Sequence, residues 1–274
     1  MIRIIALIAA FTLYAYSSLG ISTAHAQALT TSGNTPIEIT ADDSLEWDRK
    51  NKTFTARTNA KAVQGTAAVA GDILRAEYRE ANGNDMQIWR FTSEGNVVLT
   101  SGDSKAYGDN AVYLMDEGLA TMTGSDLRLN APGQNVTARD KFEYYVAEGR
   151  LIATGNAQIT QRNQKGQTNT LRSDRMVANL EDSPAGQRTL KTLEAFDNVV
   201  INTPTEILTG TYGIYNTASN SAEIKGNVKI TRGPNILVGE RAEVNLNTGI
   251  SRLFGDPAAG ENGRVRGVFY PGAQ

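Results

Sequence analysis

The sequence contains no cysteine and only one histidine, His25. Without cysteine the chain can form no disulfide and offers no redox-active or nucleophilic thiol. His25 lies in an N-terminal segment typical of a leader, so the rest of the chain has no imidazole for a Ser-His-Asp triad or for a zinc, copper or haem site. These absences exclude most hydrolase and metalloenzyme classes, and we predict that the protein uses no cofactor.

The N-terminal segment has the three parts of a secretory signal peptide. Arg3 precedes an apolar run, Ile4–Tyr16, that is short for a membrane span, and Ala24-His25-Ala26 forms an A-x-A cleavage site. We therefore predict a signal peptide over residues 1–26, cleaved after Ala26; retained uncleaved, it would act as an anchor. Cleavage leaves 248 residues with 26 basic and 29 acidic groups. This balance lacks a dense basic block, which argues against a nucleic-acid partner. Residues 27–35 are small and polar, as expected of a flexible N-terminus.

Two short pieces recur along the rest of the chain. The first is an acidic or threonine anchor followed by alternating residues, and successive anchors are 29 to 37 residues apart. The second is a Gly-Asn or Asp-Asn pair that begins a short strand. Together they predict units of three short strands joined by turns, and thus an antiparallel all-β fold of about seven repeats of roughly 30 residues. The anchors are Asp43, Asp72, Asp109, Asp140, Asp174, Thr211 and Glu240.

A unit this small cannot bury its apolar face alone, so neighbouring units must stack into one continuous core. The sequence leaves open whether the result is a closed flat solenoid or an open, twisted roll of two sheets. Helical periodicity is almost absent, and residues 188–196 are the best helical candidate. Residues 255–263 are rich in glycine, proline and alanine and are typical of a linker. The segment Arg264–Tyr270 alternates like a strand that closes the fold or docks on another chain.

The alternation defines a set of inward-facing apolar residues. If the sheets meet everywhere this set is an ordinary core, and if they splay it lines a groove that can bury acyl chains. The sequence alone leaves both readings open. The predicted lipid-binding set is Ile37, Ile39, Leu45, Trp47, Val97, Leu99, Phe142, Tyr144, Ile159, Val199, Ile201, Ile214, Val228, Ile230, Val244 and Leu246.

Three pieces of the sequence resemble the LptA/OstA family of periplasmic lipopolysaccharide export proteins. They are the opening motif Ile37–Trp47, the Gly-Asn-Val-x-Ile piece Gly226–Ile230, and the Gly-Glu-Arg-Ala-Glu-Val-Asn-Leu piece Gly239–Leu246. The resemblance covers Pro36 to Phe254. It implies an elongated open β-jellyroll over residues 36–254, with a C-terminal tail over 255–274, whose interior holds the acyl chains of lipid A. The mature chain is longer than a typical bridge protein of the family, which indicates additional strands or a longer span per protomer.

The resemblance also implies a location and partners. The protein would be periplasmic and would catalyse no reaction. It would join head-to-tail with further copies of itself between an inner-membrane export complex, through an LptC-like protein, and an LptD-like outer-membrane assembly protein. We predict that the first strands near Ile37–Trp47 and the segment Arg264–Tyr270 are the joining ends. An uncleaved apolar segment would instead favour the membrane-anchored LptC.

Two other classes of function remain. Stacked repeats could bring pairs of the acidic anchors together, as a carbohydrate-active β-solenoid would require, although a repeated corner in which Asp bonds nearby backbone N–H groups explains them better. The third class is a structural repeat protein such as an adhesin. Calcium is the one metal that the carboxylates could favour, but Asp42-Asp43 and Glu181-Asp182 lack the spacing of known calcium loops and are better explained as solvated charge.

Basic and aromatic residues supply the remaining hypotheses. Near the expected groove mouth, a group of basic side chains could pair with lipid A phosphates, or could simply be exposed charge. The aromatic residues could form a sugar platform, or could pack on neighbouring strands. The basic group is Arg49, Lys50, Lys52, Arg75 and Arg79. The aromatic group is Trp47, Trp89, Tyr107, Tyr113, Tyr144, Tyr145 and Tyr215.

Overall fold

The computed structural model describes residues 36–270 except 81–85, 163–165, 183–187, 246 and 249. The predicted signal peptide and flexible N-terminus therefore lie outside the described residues. The described part is built of antiparallel β-strands and one 3₁₀ helix, Pro257–Gly263, as the all-β prediction requires. The strands are β1 Glu38–Thr40, β2 Ser44–Asp48, β3 Thr53–Gln64, β4 Ala67–Glu80, β5 Met86–Ser101, β6 Ser104–Leu114, β7 Leu119–Thr123, β8 Leu127–Ala131, β9 Gln134–Ala138, β10 Lys141–Tyr145, β11 Arg150–Arg162, β12 Thr168–Asp182, β13 Arg188–Asn202, β14 Ile207–Asn216, β15 Ser221–Arg232, β16 Asn235–Asn245, β17 Ile250–Phe254 and β18 Arg266–Val268.

Ten strands are long and eight are short, and the short ones occur in pairs that each share a long neighbour. β1 and β2 both pair with β3, β7 and β8 with β6, β9 and β10 with β11, and β17 and β18 with β16. Each long strand therefore belongs to two half-sheets. Half-sheet A contains β2, β7, β10 and β17 with one half of every long strand, and half-sheet B contains β1, β8, β9 and β18 with the other half.

In β3, β5, β11, β13 and β15 the division between the half-sheets is a bend made by two consecutive residues with positive φ. Gly95 and Asn96 have φ of 73° and 48°, and Asp197 and Asn198 have φ of 59° and 48°. The ladder skips two residues at each such pair, for example between Glu94 and Val97. Glycine and asparagine tolerate this conformation better than other residues. The Gly-Asn pairs therefore bend continuous strands, and the prediction that they begin separate strands after a turn is wrong.

The acidic anchors lie against these bends on the neighbouring strand. The side-chain amide of Asn96 donates to Asp72 at 2.9 Å, and that of Asn198 donates to Asp174 at 2.7 Å. A Cβ added at Gly95 would collide with the Asp72 carboxylate, so the glycine is required here for space as well as for φ. The repeats that begin at Asp72, Asp174 and Thr211 are thus hairpins of one anchor strand and one Gly-Asn or Asp-Asn strand. The prediction of three strands per unit is wrong.

Two further expectations are corrected by the strand assignment, and the choice between a closed and an open fold is decided. Residues 188–196 lie in β13 and are not helical, because their alternating pattern places Leu193 and Ala195 in the core. The linker predicted over 255–263 contains the 3₁₀ helix, which Asp256 caps by accepting from the Ala258 N–H. Within the described residues no ladder joins β1 or β2 to β17 or β18, so the sheet is open at both ends.

We expect the bends to depend on the left-handed conformation more than on the side-chain hydrogen bond. Asn198→Ala should lower the free energy of unfolding by about 1–2 kcal/mol, because alanine disfavours positive φ. Asn198→Gly keeps the conformation and loses only the hydrogen bond to Asp174, so it should cost less. Urea unfolding followed by circular dichroism measures both. Equal losses in the two variants would contradict this account.

Candidate functional site

The inner faces of the two half-sheets carry three rows of uncharged residues that run without a break through every strand pairing. Two rows cross half-sheet A and one crosses half-sheet B, and each contains fourteen residues, one per strand. At about 4.8 Å per strand each row is roughly 60 Å long. The first row is Leu45, Ala56, Leu74, Ser93, Ala111, Met122, Phe142, Ala153, Met176, Ala195, Gly213, Ile224, Ala242 and Leu253. The second is Trp47, Phe54, Ala76, Phe91, Tyr113, Ala120, Tyr144, Leu151, Ala178, Leu193, Tyr215, Ala222, Val244 and Ser251.

The third row, on half-sheet B, is almost entirely aliphatic. Phe142 and Ala153 of half-sheet A and Ile159 and Val136 of half-sheet B belong to one apolar cluster, so the inner faces of the two half-sheets share a core. The third row is Ile39, Ala62, Val69, Leu99, Ala106, Leu129, Val136, Ile159, Leu171, Ile201, Leu208, Ile230, Leu237 and Gly267.

At the bend, a valine on one strand lies opposite a glycine on the next strand. Val199 lies opposite Gly210 and Val228 opposite Gly239, and both valines are fully buried. A Cβ at Gly210 would lie 2.5 Å from Cγ2 of Ile224, so a larger residue does not fit there. The line of the bend is therefore packed core.

Most of the predicted lipid-binding residues lie on the inner face, but at different depths. Val97, Phe142, Ile159, Val199, Ile201, Val228, Ile230 and Val244 are buried. Ile37, Ile39, Leu99 and Tyr144 are partly buried. Leu45 and Trp47 face inward from the terminal strand β2 and are 57% and 46% exposed, because no strand covers that end. Leu246 lies outside the described residues.

Ile214 is placed on the outer face, which corrects its inward assignment. Its partners across the sheet are Glu194 and Glu223, while the adjacent Tyr215 is buried in the second row. The segment Gly213-Ile214-Tyr215 has a candidate inner residue at either register, and only the pairing with β13 and β15 decides between them.

Burial of the inner face varies along the molecule. In the middle strands Leu99 and Leu129 of half-sheet B and Tyr113 and Tyr144 of half-sheet A are only partly buried, whereas Leu208 and the other third-row residues of β12 to β15 are buried. Burial, with a smaller effect of nearby Tyr144, raises the pKa of Tyr113. Apolar side chains that retain access to solvent in the middle of the rows are the positions where a ligand could be covered.

An aromatic cluster ends the inner face at the N-terminal side. Trp47 stacks on Phe54 with ring centroids 5.4 Å apart, and Phe54 contacts Tyr78. The indole Nε1–H of Trp47 donates to the Tyr78 hydroxyl at 2.9 Å, and the Arg49 guanidinium lies 4.2 Å from the Trp47 ring. The cluster is thus held together by protein contacts.

The basic residues proposed for phosphates are in part already paired. Arg79 makes two 2.9 Å hydrogen bonds to the Asp116 carboxylate, and Lys52 lies 3.4 Å from Glu80. Arg75 is exposed on the outer face, between Thr55 and Thr92. The structure therefore does not gather these five cations into one site. Their contact with phosphate remains a hypothesis.

A row of polar residues beside the third row was not found by sequence reasoning. It lies two residues closer to the strand ends of half-sheet B and includes Asn169 on β12, Thr203 and Glu206 in the turn between β13 and β14, and Arg232 at the end of β15. The Asn169 residue is 1% exposed and Glu206 is 3% exposed. The Asn169 Oδ1 and Glu206 Oε2 atoms are buried with no hydrogen-bond partner. A buried acceptor without a partner costs about 1–3 kcal/mol, so this row is unfavourable as a purely structural feature.

The comparisons with known proteins identify the family. The family described as LptA/(LptD N-terminal domain) LPS transport protein matches the chain twice, over residues 38–146 and 135–250. The chain belongs to this family. No curated protein matches the sequence, so the assignment rests on the family match. Together the two matches span most of the chain, and they overlap at β9 and β10, in the middle of the three rows.

A solved structure related to the chain is that of LptH from Pseudomonas aeruginosa, described as the LptA-homologous periplasmic component of the lipopolysaccharide transport device. It is 14% identical, and the alignment covers 86% of this chain and 96% of LptH with a TM-score of 0.21.

The family to which the chain belongs consists of transport proteins. The acidic anchors predicted from the sequence have structural partners. Asp109 accepts from the Ser125 backbone N–H at 2.8 Å, and the Arg139 guanidinium lowers the pKa of Asp140 by hydrogen bonding to it. At the first bend Asp42, not the predicted Asp43, pairs with Asn59. In the part of the chain that the structure describes, no three carboxylates are grouped as metal ligands, and no helix is long and apolar enough to cross a membrane.

Glu206 should make stability depend on pH. Burial raises its pKa above the ordinary 4.5, and Arg232 opposes this only in part. A carboxyl whose pKa is higher in the folded state contributes stability below about pH 4.5 that is lost as the pH rises through the folded pKa. We therefore expect the melting temperature of Glu206→Gln to rise relative to wild type between pH 4 and pH 7. The exposed Glu117→Gln is the matched control, and a constant difference for Glu206→Gln would refute the assignment.

Proposed function

We propose that the protein is a periplasmic carrier that binds lipopolysaccharide through its acyl chains and passes it from the inner to the outer membrane without chemical change. The observation that carries this proposal is the three unbroken, uncharged rows on the inner face. Burial of an acyl chain contributes about 0.8 kcal/mol per CH₂, so a row of aliphatic side chains can bind it without directional contacts. The match to the LPS transport family supports lipopolysaccharide as the ligand.

Under this proposal the ends of the sheet receive other proteins. An LptC-like component of the inner-membrane export complex and an LptD-like outer-membrane protein would pair with opposite ends, and further copies of the chain would lie between them. Each end presents strands with one unpaired edge, and strand addition to such an edge uses main-chain hydrogen bonds. The sequence contains no phosphate-binding loop, so we assign the energy source to a partner.

The middle of the chain supports head-to-tail joining because it has the arrangement that such a joint would need. β6 carries β7 and β8 as β16 carries β17 and β18, and β11 carries β10 and β9 as β3 carries β2 and β1. Within the chain β7 pairs with β10, and β8 pairs with β9. By analogy, β17 and β18 of one protomer would pair with β2 and β1 of the next. Contacts of this heterologous kind extend into filaments.

The same analogy sets the register of the joint. Met122 lies opposite Phe142 in the internal joint, and their equivalents at the two ends are Leu253 and Leu45. This places Leu45 of one protomer opposite Leu253 of its partner, which would cover the exposed Leu45. β18 is already held by β16, through Val268 opposite Ile236, so it docks on its own chain and offers only its outer edge to a partner.

Acyl-chain binding predicts lipopolysaccharide adducts at partly buried inner positions. A photo-crosslinking amino acid at Leu99 or Tyr144, activated in living cells, should form an adduct detected by blotting for lipopolysaccharide. The matched controls are Val98 and Glu143, which neighbour them in the same strands and face outward. Adducts at the control positions in equal yield, or at none of the four positions in a folded protein, would contradict an acyl-binding interior.

The register predicts a specific disulfide between protomers. Because the chain has no cysteine, Leu45→Cys combined with Leu253→Cys introduces one defined pair, at the Cα separation of directly opposed strand residues. Mild oxidation should give a ladder of covalent oligomers in non-reducing electrophoresis. Glu46→Cys with Leu253→Cys places the two thiols on opposite faces and should give monomer. Oligomers of equal yield in both variants, or in neither, would refute this register.

A further inference from the structure

The polar row on half-sheet B has two buried acceptor oxygens, Asn169 Oδ1 and Glu206 Oε2, that have no hydrogen-bond partner. Asn169 lies two residues before Leu171, and Glu206 lies two residues before Leu208. Because side chains alternate along a strand, both point to the same face as the third apolar row. Asn169 and Glu206 lie two strands apart, which separates them by about 9–10 Å. Both are more than nine-tenths buried.

The turn between β13 and β14 holds Glu206 in place. The Thr203 hydroxyl accepts from the Glu206 backbone N–H at 3.0 Å, and it donates to the Glu206 carbonyl at the same distance. Arg232 approaches Oε1 of Glu206 only to 3.6 Å, beyond hydrogen-bond distance, and Oε2 has no partner. The turn thus fixes the main chain of Glu206, and the carboxyl is buried with Oε2 available to a donor.

The chemistry of the row defines what it can bind. Two buried acceptors without partners call for O–H or N–H donors. The residues beside them in the third row, Leu171, Ile201, Leu208 and Ile230, are aliphatic and buried, so the surroundings of the acceptors are apolar. A carboxyl group disfavours phosphate at this place. We propose that Asn169 and Glu206 bind hydroxyl or amide N–H groups that an amphiphile carries close to its acyl chains. This inference rests on the proposed function, since it assumes that acyl chains occupy the interior.

Of the two long-strand blocks, only β12 to β15 has a carboxyl group in this row. In β3 to β6 the same row consists of Gln64, Ala67, Ser101 and Ser104, with no carboxyl group. The three apolar rows, by contrast, continue through both halves. The subsite therefore distinguishes one location along an otherwise uniform interior, at β12 to β14.

The test compares two neutral single-chain amphiphiles that differ by one hydroxyl, N-(3-hydroxymyristoyl)glucosamine and N-myristoylglucosamine, by calorimetric titration of the mature protein. Wild type should bind the hydroxylated compound about tenfold more tightly, the value of one hydrogen bond to a buried acceptor. Asn169→Leu and Glu206→Gln should each bring the two affinities closer together while leaving the affinity for the unhydroxylated compound within about twofold. Asn202→Leu, on the exposed outer face beside Thr203, should keep the wild-type preference.

The outcomes of this experiment distinguish the subsite from the proposed acyl-chain binding on which it rests. Equal affinity of wild type for the two compounds would overturn the subsite and leave acyl binding standing. Failure of wild type to bind either compound would overturn both. If Asn169→Leu fails to fold by circular dichroism, Glu206→Gln decides alone, because it preserves side-chain size. An unchanged preference in a folded Glu206→Gln variant would overturn the assignment of Glu206.

Discussion

The two-residue left-handed bend is the constraint on which the rest of the structure depends. Each bend turns a long strand so that its two halves contribute to two half-sheets with a shared inner face, and an acidic or hydroxyl side chain of the next strand commonly lies against it. Without the bends the same strands would form one flat sheet with its apolar face exposed to water. In β3, β5, β11, β13 and β15 the bend skips two residues, so the same alternation supplies both inner faces. In the long strands between them one residue is skipped, and the alternation changes phase, for example between Val69 and Leu74 of β4.

The alignment of residues between neighbouring strands is the second consequence of the bends. Since every hairpin bends at the same place, residues at equal distances from the bend align across all fourteen strands of a half-sheet, and the rows stay continuous. They continue even where β7 to β10 interrupt the long strands, because two short strands complete each half-sheet separately. The terminal strands repeat this arrangement with one side unpaired. The middle of the chain thus shows, within one chain, the strand pairing that we propose between copies.

The fold class was predictable because the period of the anchors and the two-residue alternation are both local signals. Most inner residues followed from them, including Phe142, Ile159 and Val228. The position of the bends was not predictable, because Gly-Asn is also a two-residue hairpin signal and only the ladder shows that the strand continues through it. Ile214 was misplaced because Gly213 removes the side chain that would have marked the inner face. Asn169 and Glu206 were missed because their neighbours are contributed by other strands.

A carrier that moves a ligand along its length needs binding energy that changes little from one position to the next. The rows meet this requirement, since a chain displaced by one strand exchanges one aliphatic contact for another of similar size, and the loss and gain nearly cancel. A directional contact works in the opposite way, because it is strongest at one place. An acceptor pair at β12 to β14 would therefore create a resting position within a uniform interior, and would determine which end of a bound amphiphile lies there. Affinity would come from the rows and orientation from Asn169 and Glu206.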